Sequence, residues 1–167
     1  MKAVVVYESH WGNTARVAQA IADGIGPETL VLATDEADVS AVSGADLLVA
    51  GAPVLGFGLP TDRMEAAVAN SGPTAPTLPD TTHPSLRAWL GDLPRGRGQG
   101  AAFETRVRWS PGGATGAIER SLERAGYPTS GTPGKFIVTG RYGPLRKGEL
   151  DRARRWGEAL KARMGVA

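Results

Sequence analysis

The chain has 167 residues, no cysteine, and a formal charge of +2 from 19 basic and 17 acidic side chains. That length suits one domain, residues 1–167, with its own hydrophobic core. The missing cysteines exclude disulfides, thiolate zinc sites, iron–sulfur ligation and a thiol nucleophile, so redox chemistry would need a bound cofactor. The near balance of charge gives no footprint for nucleic acid, and Arg152, Arg154 and Arg155 lie among Glu149, Asp151 and Glu158 on a solvated helical face. Met1 and Lys2 lead directly into an apolar strand and no run reaches membrane-spanning length, so a cytoplasmic location is the expectation.

Short β-branched and aliphatic runs alternate with helical patterns, which predicts βαβ units around a five-stranded parallel sheet. The first strand is Ala3 to Tyr7; Val17, Ala18, Ile21 and Ile25 then mark a helix from Thr14 that ends at Gly26-Pro27. Thr29 to Ala33 reads as the second strand, Asp46 to Gly51 as the third, Gly100 to Thr105 as the fourth and Lys135 to Gly140 as the fifth. The crossover between the third and fourth strands carries helices at about Asp62 to Asn70 and Pro84 to Leu90, separated by a loop, Gly72 to Pro84, with four prolines. Ile118, Leu122 and Ala125 line a helix that stops near Gly126. The last helix puts Leu150, Ala153, Gly157, Leu160 and Met164 on one stripe, with Gly157 expected to let it approach the sheet closely.

The segment Val5 to Ala18 places a buried strand, a hydroxyl-rich turn and a helix start in succession, which is the geometry of an anion site. Ser9 and Thr14 supply hydroxyls, Gly12 keeps the backbone open, and Asn13 offers its amide. No Lys or Arg lies between Ser9 and Thr14, so the loop suits one phosphate monoester and not a polyphosphate. A Walker motif is absent, and Gly96-Arg97-Gly98-Gln99-Gly100 precedes a strand instead of following one, the wrong context for a dinucleotide fingerprint. A phospho-receiver would need an Asp ending the third strand, where this chain has Gly51-Ala52-Pro53.

Ser9-x-x-Gly12-Asn13-Thr14 resembles the FMN-phosphate loop of flavodoxins, and the strand alternation agrees with their three-layer α/β/α fold of strand order 2-1-3-4-5. The resemblance implies FMN as cofactor, held by Ser9, His10, Trp11, Gly12, Asn13 and Thr14 in the first loop. A second loop, Ala52, Pro53, Val54, Leu55, Gly56, Phe57 and Gly58, is similar to the one that covers a flank of the isoalloxazine ring, with Phe57 the candidate stacking residue. Glu104, Thr105, Arg106 and Trp109 stand where the family has its third flavin loop, though without its acidic, tyrosine-bearing pattern. His10 and Trp11 either touch the ring or ribityl chain or only pack. No catalytic side chain and no metal site is read from the sequence.

Arg106, Arg108, Arg141, Arg146 and Lys147 follow the last two strands and predict an electropositive flavin edge, which favours two-electron chemistry. Three functions stay open on these residues. The first is an FMN protein that passes electrons between redox partner proteins. The second is an FMN-dependent oxidoreductase acting on a quinone-like or aromatic substrate, resembling quinone reductases and menaquinone-linked protoporphyrinogen oxidases, with Leu55, Phe57, Leu59, Val107 and Trp109 as its apolar slot. The third is a flavodoxin-fold binding or scaffold module that has lost FMN. Self-association is compatible with all three.

Overall fold

The computed structural model describes residues 1–70 and 75–165, so the first part of the proline-rich loop read over 72–84 lies outside the described residues. The elements run β1 (Ala3–Tyr7), α1 (Asn13–Ile25), β2 (Leu30–Ala33), α2 (Val39–Val42), β3 (Leu47–Pro53), α3 (Asp62–Ala69), α4 (Leu86–Gly91), β4 (Gln99–Val107), α5 (Thr115–Arg124), β5 (Gly134–Val138) and α6 (Glu149–Met164). All five strands pair in parallel in the order β2-β1-β3-β4-β5. This is the flavodoxin-like α/β arrangement anticipated from the alternation of strand and helix patterns. The pattern does not reveal α2, a single turn held by Asp38, whose carboxylate accepts from the Ala41 N–H at 2.8 Å and the Ser40 hydroxyl at 2.7 Å.

Side chains alternate across each strand, so the sheet sorts its apolar residues into two layers. Val4, Val6, Leu48, Ala50 and Ala102 pack under α4 and α5 with Leu86, Ile118 and Leu122. Val5, Leu47, Val49, Phe103 and Phe136 face α1 and α6 with Val17, Ile21, Ala153 and Leu160. Phe103 fits because Gly51 on the neighbouring strand has no Cβ, which would otherwise overlap the Phe103 ring. Among the described residues, no helix is long and apolar enough to cross a membrane.

Gly157 serves a different contact from the one expected of it. A Cβ there would run into the Ile21 carbonyl of α1, and a Cβ at Gly24 of α1 would run into the Arg154 carbonyl of α6. The two glycines therefore allow α1 and α6 to meet backbone to backbone, and the close approach is helix to helix, not helix to sheet. The reason is geometric: α1 and α6 share one face of the sheet, and a one-residue gap on each removes the layer of side chains that would hold them apart.

At the other end of α6, the buried Glu149 carboxylate accepts from the Ile137 N–H of β5 at 3.0 Å and pairs with Arg146 at 2.7 Å and Arg152 at 2.5 Å. Burial pushes this carboxyl up, but the Ile137 N–H and the two guanidinium groups outweigh it and hold it below the ordinary range. The Arg152 side chain thus has a structural task within the cluster read as a solvated face.

Two outcomes follow for stability. Gly157→Ala should destabilise the fold by about 1–3 kcal/mol through overpacking, although alanine is the better helix former. Gly116→Ala, in α5 with room for a Cβ, should instead stabilise by about 0.5–1 kcal/mol; urea unfolding of both variants checks the contrast. Because the folded Glu149 carboxyl sits below its unfolded value of 4.5, its contribution is complete above that pH and fades as pH falls below it. Glu149→Gln should cost about 1–3 kcal/mol at pH 7, and wild type and variant should converge in acid when stability is measured against pH.

Candidate functional site

The strands' carboxyl ends surround a cavity of about 330 Å³. This is where an open parallel sheet places its ligands, at the β1/β3 switch point. A larger cavity of about 680 Å³ lies at the opposite ends of β3 and β4, against the end of α6.

On one side the first cavity is floored by the turn between β1 and α1. Gly12 adopts the left-handed conformation (φ +88°), and the first helical bond is from the Arg16 N–H to the Gly12 carbonyl. The amides of Asn13, Thr14 and Ala15 consequently have no helical acceptor. No side chain caps this helix, and its first turn has no acidic residue. The Ser9 hydroxyl accepts from the Gly12 N–H at 3.1 Å and keeps its own hydrogen for another partner. Thr14 and Thr105 share one hydrogen bond at 2.8 Å between their hydroxyls, which leaves one further hydroxyl hydrogen at the cavity wall. Asn13 differs from expectation: its amide donates to the Tyr142 carbonyl at 3.1 Å, so it ties the loop after β5 to the turn.

The opposite wall is apolar. Pro53, Val54, Leu55 and Gly56 line it from the end of β3, joined by Met64 and Val68 of α3. Leu55 and Gly58 exchange backbone hydrogen bonds at 3.1 Å, forming a tight hairpin with Gly56 at φ +58° and Phe57 at the tip. Phe57 is consequently 69% exposed and does not line the cavity, whereas Leu55 does. Gly58 also stays outside the lining, and Ala52 is buried in the core beneath.

Strand alternation splits the third predicted group. Thr105 points toward α1 and lines the cavity. Glu104 points to the other face, fully buried, where it accepts from the Ala114 and Thr115 N–H groups at 2.7 and 3.0 Å and pairs with Arg106 at 2.9 Å. It caps α5 and does not line the cavity. Arg106 reaches the rim, yet its guanidinium donates to Glu104 and to the Gly112 and Ser110 carbonyls. Trp109 is 81% exposed with Arg108 over its ring, outside the lining. Arg146 is likewise paired with Glu149, so the expected electropositive edge reduces at the cavity to Arg141, which lies over the Tyr142 ring.

His10 and Trp11 do line the cavity. His10 is buried and sits between two carboxylates, with Nε2 at 2.8 Å from Glu65 and 3.3 Å from Glu8. Burial pulls its pKa down, but Glu65 and Glu8 reverse this and raise it to about 9. Burial also raises the Glu8 carboxyl, whereas the Glu65 carboxyl, although burial pushes it up, is brought below its ordinary value by His10. The segment 75–84 packs on the same turn: Asp80 N–H donates to the His10 carbonyl at 2.8 Å, Trp11 Nε1 donates to the Thr77 carbonyl at 3.3 Å, and His83 Nε2 lies 3.0 Å from the Ser9 carbonyl. Sequence reading missed Glu8, Glu65, Met64, Val68 and this segment as parts of the site. Only Glu8, adjacent to the phosphate-loop pattern, carried a local signal.

The family model for flavodoxin matches residues 5–91, more than half of the chain. No curated protein matches. Among solved structures, a flavodoxin from the domain Archaea is 20% identical, with 99% of each chain covered and a TM-score of 0.68. Oxidised flavodoxin 2 from Bacillus cereus is 15% identical, covering 98% of this chain and 99% of that one, with a TM-score of 0.68. The flavodiiron protein from Giardia intestinalis is 22% identical with a TM-score of 0.63; the match covers 99% of this chain but 36% of that larger one. These likenesses show the fold, and the family match adds the ancestry: the chain belongs to the flavodoxin family, whose cofactor is FMN.

Proposed function

We propose that this chain binds FMN with the phosphate on the N-terminus of α1 and the ring along the apolar wall, and that it transfers electrons from there to an acceptor. One observation carries the reading. Among the described residues, α1 is the helix whose start has neither a capping side chain nor a carboxylate. Asp38, Thr61 and Ser85 cap α2, α3 and α4, Glu104 accepts from the first amides of α5, and Glu149 opens α6. An uncapped N-terminus at the floor of a cavity leaves several N–H donors for a phosphate.

The residues fit that group. Ser9 and one of the Thr14–Thr105 pair offer hydroxyl hydrogens beside the free amides, and Asn13 fixes the turn through Tyr142. Val54, Leu55, Met64 and Val68 offer an apolar surface that excludes water from a flat ring. Bound FMN supplies one- and two-electron transfer that no side chain of this chain can. Phe57, Val107 and Trp109 are exposed apolar residues on the loops around the cavity. Val107 lines the cavity and supports a small quinone-like or aromatic acceptor, whereas Phe57 and Trp109, outside the lining, support contact with a partner protein equally well.

Titration of the flavin-free protein with FMN and with riboflavin tests the phosphate site, with FMN expected to bind far more tightly. Removing the two hydroxyls in Ser9→Ala/Thr14→Val should cost about 1.5–3 kcal/mol of FMN affinity per lost charge-assisted bond, leaving riboflavin affinity unchanged. Equal FMN affinity in the variant would place the phosphate elsewhere. Failure of wild type to bind either flavin would favour a binding module without cofactor.

A further inference from the structure

We propose that Glu8, His10 and Glu65 form a binding site for one divalent transition-metal ion beside the cavity. The three residues come from the end of β1, the following turn and α3. Each offers a ligand atom, and these atoms lie within 4.8 Å of one another. The side chains of Glu8 and His10 are essentially inaccessible, and that of Glu65 is 19% exposed, which gives an ion a route in.

The surroundings are rich in acceptors and short of donors. Glu8 Oε2 accepts from the Leu86 N–H at 2.6 Å, which fixes the carboxylate and leaves Oε1 facing His10. Glu8 Oε1, Glu65 Oε1 and His10 Nδ1 are buried and, among the described residues, have no hydrogen-bond partner; Nδ1 lies on the far side of the ring from Nε2 and the two carboxylates. A single N–H on His10 Nε2 cannot satisfy two carboxylates at once, and an unmatched buried acceptor is expensive. Neighbouring donors are committed elsewhere: His83 Nε2 meets the Ser9 carbonyl, and the Arg87 guanidinium donates to the Leu59 and Pro60 carbonyls.

A cation removes the deficit. Ligands at about 2.0–2.2 Å in tetrahedral array are separated by roughly 3.4 Å, close to the 3.3 Å between His10 Nε2 and Glu8 Oε1. Reaching that spacing from the 2.8 Å to Glu65 needs a small outward movement of the partly exposed carboxylate. The ion displaces the Nε2 proton of His10 to solvent, and two carboxylates with the neutral imidazole then cancel a 2+ charge. The mixed nitrogen and oxygen set matches zinc, manganese or ferrous iron better than calcium or magnesium. Three protein ligands leave a coordination position open, and His10 lines the cavity on that side.

The inference does not depend on flavin binding and is measured on flavin-free, tag-free protein stripped with a chelator. Calorimetric titration with Zn²⁺, repeated with Mn²⁺, should show one equivalent bound to the wild type at micromolar or lower concentration. Glu65→Gln and Glu8→Gln, which keep size and remove charge, should each weaken binding at least about thirtyfold, with the fold verified by circular dichroism. His10→Gln should do the same. Absence of saturable binding of both ions overturns the proposal. So does binding that persists undiminished in the folded variants, since the ion would then sit on other residues.

Discussion

The peptide dipoles at the start of α1 are the constraint around which the site is arranged. A helix N-terminus concentrates partial positive charge and unpaired N–H groups, and a folded chain normally answers them with a cap or a carboxylate. Elsewhere in this molecule that answer is internal. Glu8 accepts from Leu86 at the start of α4, and Glu104 accepts from Ala114 and Thr115 at the start of α5. At α1 the turn passes through Gly12 in a left-handed conformation, and the Ser9 hydroxyl is directed to Gly12, not to the helix. The requirement is therefore left to water or to a ligand in the cavity whose walls β3, β4 and α3 contribute.

The fold was legible because its signals are local. Each buried parallel strand is a short apolar run, and each helix a stripe of period 3.6, so alternation alone implies the crossover topology. The turn at the floor of the cavity was legible for the same reason: Ser9, Gly12, Asn13 and Thr14 lie within six residues, between a strand and a helix. What was not legible depends on which neighbour a side chain meets. Glu104, Thr105 and Arg106 are consecutive and look like one loop, but β4 continues through Val107 and the pleat sends Glu104 to α5 and Thr105 to α1. Phe57 looked like a stacking residue because its flanking glycines suggested adaptability. Those glycines instead close a hairpin that projects it outward. Gly157 signalled close approach correctly, but the sequence does not say that Ile21, 136 positions earlier, is the partner.

Charge illustrates the same limit at the level of the whole edge. Five cations after β4 and β5 suggest a positive field, yet Arg106 neutralises Glu104, and Arg146 with Arg152 neutralises Glu149. Those pairs stabilise the strand ends and the first turns of α5 and α6. The Arg106–Glu104 pair contributes little net potential at the cavity, because a paired charge in a partly buried setting is close to neutral at a distance, whereas two arginines on the one Glu149 carboxylate leave a positive charge over. The positive character that remains at the cavity comes from Arg141 and from the free amides at the start of α1.

The turn after β1 holds two opposite electrostatic requirements within eight residues. Asn13 to Ala15 present unpaired donors, whereas Glu8 and Glu65, on either side of His10, present unpaired acceptors. A fully ionised triad of two carboxylates and one imidazolium would have a net negative charge near the free amides of α1, and would oppose an anion there. A proton on Glu8, whose carboxyl is raised by burial, or a cation among the three side chains, relieves that conflict. Whichever occupies the triad sets the potential beneath the phosphate turn through low-dielectric protein, where screening by salt is weak. The segment 75–84 adds to that isolation from solvent, since Asp80, Thr77 and His83 bond to His10, Trp11 and Ser9 along the outer side of the turn. The free amides of α1 and the triad are thus joined by one short stretch of backbone, so a change of charge at Glu65 on α3 alters the field at the turn without touching it.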